Sequence, residues 1–341
     1  MQKIRVGIIG ATGYSGCELI KLLSSHPDVE LTLVTSRAEA GMPLKNYYPF
    51  VSGAMANLHF SDINEQEIIS KCDLIFFATP SGTAKDMAPL YYRQGLKIID
   101  ISGDFRLSSV EDYQLWYNYE HPHPDLLNEI VYSLPEINRY EAADTSFISN
   151  PGCYPTSILI PLTPVLKAVN PERIIIDAKS GVTGAGKKLS VGSLYAELNE
   201  NFMAYKVGGK HQHIPEIEKY LSEWTEKEIT VSFTPHLLPM DRGILSSIYL
   251  PGISEKEALT ALESLKDTYR DEFFVKILGE YLPKTKDVAH TNQCHIGYSY
   301  DKRTATLILL SVIDNLQKGA SGQALQNMNL MLGFPERTGL C

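Results

Sequence analysis

The feature that most constrains the fold is a glycine-rich turn that begins only ten residues into the chain. The apolar run Ile4–Ile9 predicts a short buried strand, and Gly10–Gly16 (GATGYSG) follows it directly. Apolar spacing over Ser15–Ser25 is typical of a helix, and Val29–Thr35 predicts a second strand. Together these segments form one βαβ unit of ordinary length. The chain therefore begins with the first part of a parallel sheet.

The three glycines of this turn are placed as in a dinucleotide-binding loop. Gly10 permits a tight turn, Gly13 lets the backbone approach a pyrophosphate, and Gly16 allows close packing of helix on strand. The spacing is GxxGxxG rather than GxGxxG, and a glycine triple alone is often an ordinary turn. The βαβ context favours cofactor binding. The predicted contacts from this loop are Gly10, Thr12, Gly13, Tyr14, Ser15 and Gly16.

The end of the second strand bears on which nicotinamide coenzyme is bound. NAD sites commonly have an acidic residue here that accepts from the ribose 2′-hydroxyl. This chain has Ser36 and Arg37 instead, which suit a 2′-phosphate, although Arg37 could also be a solvated surface residue. We therefore predict NADP(H). Pro80 and Ser81 follow a later strand and are expected beside the same crevice.

Further strands predict the rest of the fold. Leu74–Ala78 and Ile98–Ile101 alternate with helices, which implies a doubly wound, Rossmann-type parallel sheet. After Cys153, strands follow one another with few helices between them, and we expect an α+β second domain with a largely antiparallel sheet. The predicted strands of that domain are Ile174–Ala178, Ile229–Thr234, Ile244–Tyr249, Gln293–Tyr300 and Thr304–Val312.

The predicted division is a coenzyme domain over residues 1–150 and a second domain over residues 151–315. A helix over Glu255–Arg270 is expected to pack on the second sheet. The segment 316–341, with a helix over Leu316–Met331, is expected to return to the first domain.

Composition excludes several classes of protein. A net charge of −9 argues against a nucleic-acid-binding surface. No apolar run approaches the ~20 residues that span a bilayer, and Met1–Val6 enters a strand directly, so neither membrane span nor signal peptide is expected. The five cysteines are scattered without a CxxC pair. We expect no disulfide framework, no metal site and a reducing cytoplasm.

The segment Asn150–Thr156 (NPGCYPT) presents a thiol in the manner of a nucleophile. Gly152 allows a sharp turn, and Pro155 suits the first turn of a helix that begins around Tyr154. Cys153 then lies near a helix N-terminus, which favours a thiolate. The alternative is a small buried cysteine after an ordinary turn. A nucleophilic thiol beside a nicotinamide predicts reduction of an acyl group through a thioester.

Such a reaction needs a proton carrier, and His211 and His213 are the candidates. In extended chain the two side chains point the same way. An HxH pair also suits a metal, but no third ligand has a telling spacing. Two surface histidines before a helix are the remaining alternative.

Several segments together resemble the N-acetyl-γ-glutamyl-phosphate reductase family of arginine biosynthesis, which is related to aspartate-semialdehyde dehydrogenase. The match runs nearly end to end, and its Cys153 segment is highly specific. A departure is Gln212, where the family often has arginine between the histidines. The segments that carry the resemblance are Gly10–Gly16, Ser149–Thr156, Ser180–Gly186, His211–Ile217, Thr234–Gly243 and Val312–Ala320.

The resemblance implies NADPH-dependent reduction of an acyl phosphate to a semialdehyde by a homodimer or homotetramer. Cys153 would form the thioacyl intermediate, His213, in preference to His211, would carry the proton, and Glu216 would orient the imidazole. Arginine binds carboxylate or phosphate through two parallel hydrogen bonds. The implied substrate contacts are Arg106, Asn150 and Arg242, with Lys187 and Lys188 as further phosphate candidates; Ser180, Gly181 and Asn315 would lie near the nicotinamide.

Two other functions remain open on the sequence. Aspartate-semialdehyde dehydrogenase would share the thiol and NADP but would need an acidic partner for a substrate ammonium. A non-catalytic NADP-binding redox sensor could use Cys153 as a switch, but it would not need the histidines. The glycolytic phosphorylating dehydrogenase fits less well, because the chain lacks a Ser-Cys-Thr-Thr-Asn segment.

Overall fold

The computed structural model describes residues 3–187 and 191–340, and the chain divides into two compact units. Unit 1 contains the chain up to Pro151 and again from Ala320 onwards; unit 2 is Gly152–Gly319. The chain thus passes between units after Pro151 and after Gly319, where the sequence predicts crossings after residues 150 and 315. Within the described ranges, no helix has the length and hydropathy that a bilayer crossing requires.

Unit 1 is built on a seven-stranded sheet in which all neighbouring strands pair in parallel. Its strands are β1 (Ile4–Ile9), β2 (Val29–Thr35), β3 (Phe60–Ser61), β4 (Leu74–Phe77), β5 (Lys97–Asp100), β6 (Val131–Tyr132) and β7 (Phe147–Ser149). The strand order is β3-β2-β1-β4-β5-β7-β6.

Helices connect these strands, and separate apolar clusters cover the two faces of the sheet. All four residues of β4 are buried, as expected for a strand covered on both sides. The helices are α1 (Tyr14–Ser24), α2 (Leu44–Tyr47), α3 (Glu65–Lys71), α4 (Ala84–Arg93), α5 (Val110–Tyr117) and α6 (Pro135–Ala143), with 3₁₀ turns at Gly53–Asn57 and Leu126–Asn128.

The order of this sheet fixes where a ligand can bind. β2 and β4 lie on opposite sides of β1, so the connection after β1 runs one way and the connection after β3 crosses back. The crevice at the carboxyl ends of β1 and β4 is therefore the topological switch point, where open α/β sheets bind ligands. The glycine-rich turn after β1 lies at this edge.

Unit 2 contains a second seven-stranded sheet, in the order β12-β13-β14-β11-β8-β10-β9. Its strands are β8 (Ile175–Gly181), β9 (Met203–Ala204), β10 (Ser232–Leu238), β11 (Ile244–Pro251), β12 (Val275–Gly279), β13 (Cys294–Asp301) and β14 (Thr306–Ile313). Its helices are α7 (Cys153–Ala168), α8 (Tyr195–Leu198), α9 (Ile214–Thr225) and α10 (Glu255–Thr268), with 3₁₀ turns at Val182–Ala185, Val191–Ser193 and Thr285–Asp287. Most pairs are antiparallel; β8 with β10 and β12 with β13 are parallel.

The last helix, α11 (Gly322–Met331), belongs to unit 1 and follows a short π-helix at Gln317–Ser321. Its side chains Ala324, Leu325 and Met328 are buried in the apolar cluster that also contains β1 and β2. Where the sequence predicts one continuous helix from Leu316, the structure has two helical segments of different pitch. Single π turns occur frequently at functional sites.

The predicted fold class is confirmed: a Rossmann-type doubly wound parallel sheet with a second, mostly antiparallel α+β unit. One predicted strand, Ile229–Thr234, is displaced toward the C-terminus and becomes β10. The reason is that Ile229 N–H donates to Ser222 Oγ and Val231 N–H donates to Glu218 Oε1. These two amides bind side chains of α9, so the strand begins only at Ser232.

Candidate active site

The turn after β1 accepts only glycine at two of its positions. Gly10 has φ +90°, and a Cβ there would lie 2.6 Å from the carbonyl oxygen of Ala78. A Cβ on Gly16 would lie 2.6 Å from the carbonyl oxygen of Gly10. At Gly13 the nearest atom would be 3.5 Å away, so backbone crowding does not require glycine there.

Gly13 is the N-cap of α1, and no side-chain oxygen caps the helix at this position. A helix N-terminus without such a cap offers its first amides and its positive dipole end to an anion. Thr12, Tyr14 and Ser15 surround it in partly exposed positions. This end of unit 1 can therefore hold a phosphate group.

The neighbouring strands bring the other predicted coenzyme contacts to the same sheet edge. Ala11 N–H donates to Thr35 O, which ties the glycine turn to the end of β2. Ser36 is nearly buried and its N–H donates to Ser61 O, whereas Arg37 is exposed. Pro80 and Ser81 follow β4 and are exposed, as a ligand contact requires. Their predicted roles as coenzyme contacts remain predictions.

Two of the predicted substrate contacts, Arg106 and Asn150, are bonded to each other in unit 1. Arg106 Nε donates to Asn150 O at 3.0 Å, and Nη2 donates to Ile101 O at 2.7 Å. Asn150 Oδ1 in turn accepts from Asn327 Nδ2 at 3.0 Å. Both residues are buried. These bonds fix the end of β7, and substrate binding by the two side chains remains a prediction.

Cys153 is the first residue of α7 and is partly exposed. The helix thus begins one residue before the predicted start at Tyr154. Gly152, its N-cap, has φ −68° and ψ 158°, an extended conformation that any residue adopts, so the expected glycine-dependent turn is wrong. The crowded glycine is Gly319: a Cβ there would lie 2.8 Å from Cys153 Cβ. The backbone of the π-helix therefore packs directly on the cysteine.

Glu216 holds the start of α7. Its side chain is fully buried, and Oε1 accepts a hydrogen bond from Gly152 N–H at 2.8 Å. The carboxylate lies in the first turn of α9, so it is also favoured by that helix dipole. The sequence predicts that Glu216 orients an imidazole; this bond gives it a role toward the backbone beside Cys153.

His211 is buried among aromatic rings. Its ring centroid lies 5.6 Å from Tyr154, 5.6 Å from Tyr205 and 5.4 Å from Phe233. Burial, together with the positive charge of Lys206, lowers the pKa of His211 to about 3. Its Nδ1 accepts from His213 N–H at 3.1 Å, so Nδ1 carries no proton.

His213 occupies the N-cap of α9 and is partly exposed. Its ring lies 4.8 Å from that of His211 and 6.0 Å from that of Tyr154, the residue after Cys153. Its φ of −82° and ψ of −12° are those of a turn, so the segment is not extended at His213, and the two rings are nevertheless adjacent. Gln212 Oε1 accepts from Lys206 Nζ.

The remaining predicted contacts converge where β8 ends in unit 2. Asn315 Oδ1 accepts from Gly243 N–H at 2.7 Å, and its Nδ2 donates to Thr183 Oγ1 at 2.9 Å. Arg242 Nη1 pairs with the buried Asp314 Oδ2 at 3.3 Å. A Cβ on Gly181 would meet the backbone of Arg242 at 2.8 Å. These contacts fix two loops: the one that follows β8 and the one that precedes β11.

Three further predicted contacts are Ser180, Lys187 and Lys188. Ser180 is buried and donates to Gly181 O at 3.0 Å. Lys187 is exposed, and Lys188 lies outside the described residues. Three residues beside these were not predicted as site residues from the sequence: Tyr154, Tyr205 and Asp314. For Tyr154, the available signal was its position next to Cys153.

Similarity to curated proteins decides the family. The chain is 46% identical over 340 residues to the N-acetyl-gamma-glutamyl-phosphate reductase of Geotalea daltonii, covering 99% of this chain and 98% of that protein. It is 47% identical over 343 residues to the protein of the same name from Desulforamulus reducens, with the same coverage. The chain belongs to the N-acetyl-γ-glutamyl-phosphate reductase family. The resemblance predicted from the sequence is confirmed.

Family models and solved structures agree with this assignment. Residues 5–145 match the NAD-binding domain of semialdehyde dehydrogenase, and residues 153–315 match its dimerisation domain. Aspartate semialdehyde dehydrogenase II of Vibrio cholerae, solved in complex with ASA, has a TM-score of 0.74 at 19% identity, covering 98% of this chain and 99% of that chain. The Candida albicans enzyme, solved with NADP, has a TM-score of 0.72 at 17% identity, covering 97% and 99%. At 19% and 17% identity, the similarity to these two solved structures shows that the fold is shared.

Proposed function

We propose that this chain reduces N-acetyl-γ-glutamyl phosphate to N-acetylglutamate semialdehyde and phosphate, with NADPH as reductant, as a step of arginine biosynthesis. The observation that carries the proposal is the start of α7, where Cys153 is partly exposed and the next residue, Tyr154, has its ring 6.0 Å from that of His213. The names of the curated relatives support the choice of substrate. Their identity to this chain is far higher than that of the aspartate-semialdehyde dehydrogenases.

In the first step, Cys153 Sγ attacks the acyl carbon of the substrate. A carbon–sulfur bond forms, the bond from that carbon to the phosphate oxygen breaks, and phosphate leaves with the electron pair. Bound NADPH supplies the hydride that reduces the resulting thioester. The carbon–sulfur bond then breaks, the aldehyde departs and Cys153 returns as a thiolate. One proton is consumed overall, which requires a proton carrier beside the sulfur.

His213 is the proposed proton carrier, and His211 fixes its position. A pKa of about 3 keeps the His211 imidazole neutral at cellular pH, so it has no proton to donate from Nδ1. That nitrogen instead accepts from the His213 backbone. His213 is partly exposed at the N-cap of α9, where substrate can reach its ring. The environments of the two rings thus support the role first inferred from the resemblance.

Glu216 acts on the nucleophile through the backbone in this proposal. By accepting from Gly152 N–H, its carboxylate fixes the residue that precedes Cys153. The bond is buried, and a charged acceptor makes it roughly twice as strong as a neutral one. An orienting contact to His213 remains the prediction from the sequence.

The arginines are proposed to bind the two anionic groups of the substrate. Arg106 uses Nε and Nη2 to hold backbone carbonyls, and Arg242 uses Nη1 to meet Asp314. Both guanidinium groups are thereby held in place, which lowers the entropy cost of ordering them around an anion. Asn150 is proposed to contact the substrate near the thiol.

For the coenzyme we infer NADP(H). Gly10–Gly16 at the start of α1 would hold the pyrophosphate, and the exposed Arg37 after β2 would meet the 2′-phosphate. Ser81 would contact the coenzyme from the next strand, and Asn315 and the Ser180–Gly181 segment would lie near the nicotinamide. A matched family model for NAD binding over residues 5–145 supports a nicotinamide coenzyme.

We also propose a homodimer or homotetramer. Residues 153–315 match a model described as a dimerisation domain, and unit 2 exposes large apolar side chains close together in the chain. These are Val191, Leu194, Tyr195 and Phe202. A cytoplasmic location remains the expectation; Cys17, Cys72, Cys153 and Cys294 form no disulfide, which is compatible with a reducing compartment.

The central test is phosphate-dependent reduction of NADP⁺ with N-acetylglutamate semialdehyde, which runs the reaction backward. Wild-type protein should turn over, and aspartate semialdehyde should be a poor substrate. Cys153→Ser should lose at least about 10³-fold in turnover while binding NADPH normally, since a hydroxyl is a much weaker nucleophile than a thiolate. Turnover by Cys153→Ser, or a preference for aspartate semialdehyde, would refute the proposal.

The coenzyme assignment is tested at Arg37. Arg37→Ala should weaken NADPH binding by about tenfold or more, because a charge-assisted contact to the 2′-phosphate is lost, and should leave NADH binding nearly unchanged. Equal effects on the two coenzymes would refute the 2′-phosphate contact. Fluorescence titration of both reduced coenzymes measures the difference.

A further inference from the structure

The N-terminus of α4 is capped by a residue from a different loop. Thr83, the N-cap of α4, makes no side-chain capping bond. Instead Asp104, which follows β5, accepts from Gly82 N–H at 2.6 Å through Oδ1 and from Lys85 N–H at 3.1 Å through Oδ2. Asp104 is fully buried. This buried carboxylate thus accepts hydrogen bonds from the backbone of the segment that follows β4.

Other bonds strengthen the same junction. Tyr119 Oη donates to Asp104 Oδ1 at 2.8 Å, and Gly103 N–H donates to Ser81 Oγ at 3.2 Å. The loop after β4 is therefore tied to the loop after β5 at both Ser81 and Gly82. Gly82 has φ +94°, so this loop turns sharply where Asp104 holds it.

Two helices begin at the carboxyl edge beside the switch point, and their N-termini differ. The N-cap of α1, Gly13, has no side-chain capping bond, so this helix N-terminus can accept a phosphate. The dipole end of α4 is already compensated by the Asp104 carboxylate. A coenzyme phosphate is repelled from α4 and attracted to α1, so the carboxylate influences where the coenzyme binds as well as the shape of the loop.

We propose that Asp104 is a positioning residue for the coenzyme, which fixes the Pro80–Gly82 loop against the bound nucleotide and restricts phosphate binding to α1. The inference rests on the proposed function, since it needs NADP(H) at this edge. It adds a residue with no expected contact to coenzyme or substrate. Its effect is transmitted through the backbone of Gly82 and Lys85.

The test is Asp104→Asn, with kinetics in both substrates and an NADPH titration. A carboxylate accepts from all three donors, whereas an amide must turn its NH₂ toward an N–H or O–H donor. We expect KM and Kd for NADPH to rise about tenfold, the effect of losing one charge-assisted bond, while kcat at saturating NADPH and KM for the acyl phosphate stay within about twofold.

Ser109→Ala is the matched control. Ser109 Oγ caps α5 by accepting from Asp112 N–H at 3.0 Å, so its loss also removes a cap from a helix of unit 1. This variant should lower Tm and leave KM for NADPH unchanged. If Asp104→Asn behaves in the same way, Asp104 only stabilises the fold and the inference is overturned.

A second variant decides the matter if Asp104→Asn does not fold. Tyr119→Phe removes one donor to the same Oδ1 and keeps the carboxylate. A measurable rise in KM for NADPH supports the inference, and an unchanged KM overturns it. Failure of the proposed function would look different, because the wild-type protein itself would then not reduce NADP⁺ with N-acetylglutamate semialdehyde and phosphate.

Discussion

His211 and His213 are two residues apart and have different environments. The ring of His211 is enclosed by Tyr154, Tyr205 and Phe233, and burial makes its protonation costly. The ring of His213 is partly exposed. The neutral imidazole of His211 thus supports the backbone of His213, whose ring is the more exposed of the two.

Exchanging each histidine for asparagine should separate these roles. His213→Asn should lower kcat by ~10²–10⁴-fold, the usual contribution of a positioned acid–base group. His211→Asn should lose far less, because the asparagine Oδ1 can still accept from His213 N–H. Steady-state rates with the semialdehyde, phosphate and NADP⁺ measure both effects. A larger loss in His211→Asn would move the proton carrier to His211.

At the scale of elements, the start of α7 is held from two sides within unit 2. Glu216 of α9 accepts from Gly152 N–H, and the π-helix places Gly319 against Cys153. The π-helix brings its backbone this close only because residue 319 has no side chain. The position of the thiol therefore depends on three helices that are far apart in the sequence.

Gly319→Ala should displace the thiol. The new Cβ would lie 2.8 Å from Cys153 Cβ and 3.2 Å from its Cα, so one of the two backbones must move. A displacement approaching 1 Å at a reacting atom costs up to about 10²-fold in rate, and we expect a loss of this order in kcat. Alkylation of Cys153 by iodoacetamide, followed by mass spectrometry, reports whether the thiol has moved.

Gly192→Ala is the control for this substitution. Among the residues that the structure describes, a Cβ at Gly192 would meet Met203 Cε at 3.6 Å, an ordinary contact. Activity and Cys153 alkylation should match those of wild type. Equal rates in Gly319→Ala and wild type would show that the backbones can separate without cost to the site.

Elements with regular patterns could be predicted from the sequence, and their couplings could not. The strand Ile4–Ile9 and the glycine turn were predicted because period and spacing are local. The displacement of β10 depended on side chains of α9 that bind the amides of Ile229 and Val231, which no local pattern encodes. Likewise, the approach of Gly319 to Cys153 joins positions far apart in the sequence.

For the molecule as a whole, buried histidines make stability depend on pH. Burial lowers the pKa of the buried His26, His121 and His211 and of the partly buried His295. The unfolded chain, with histidine pKa near ~6.5, binds more protons than the folded protein below that pH. Stability from these groups is therefore fully present above ~6.5 and is lost as the pH falls toward the folded values.

His121→Asn should reduce this acid sensitivity. His121 is buried with a pKa lowered to about 4, and its Nδ1 accepts from His123 N–H, a bond that asparagine can keep. Between about pH 7 and pH 5, the Tm of the variant should fall less than that of wild type. Asp100, whose pKa burial and Asp104 raise, acts in the opposite direction in both proteins. Parallel Tm curves would contradict the prediction.

The function of the whole chain could be predicted further than the roles of its residues. The family could be predicted from the Cys153 segment and the glycine turn, because each motif is contiguous in the sequence. The partners of Arg106, Glu216 and Asn315 could not be predicted, since each binds backbone groups from other parts of the chain. The sequence identifies such residues as candidates for the site, and the tertiary packing determines their hydrogen-bond partners.

The place of α11 has a consequence for biosynthesis. This helix supplies Ala324, Leu325 and Met328 to the interior of unit 1, and Asn327 binds Asn150 at the end of β7. A ribosome makes these residues only after all of unit 2. Unit 1 therefore remains incomplete while unit 2 is translated. Its core can be completed only when α11 has been synthesised.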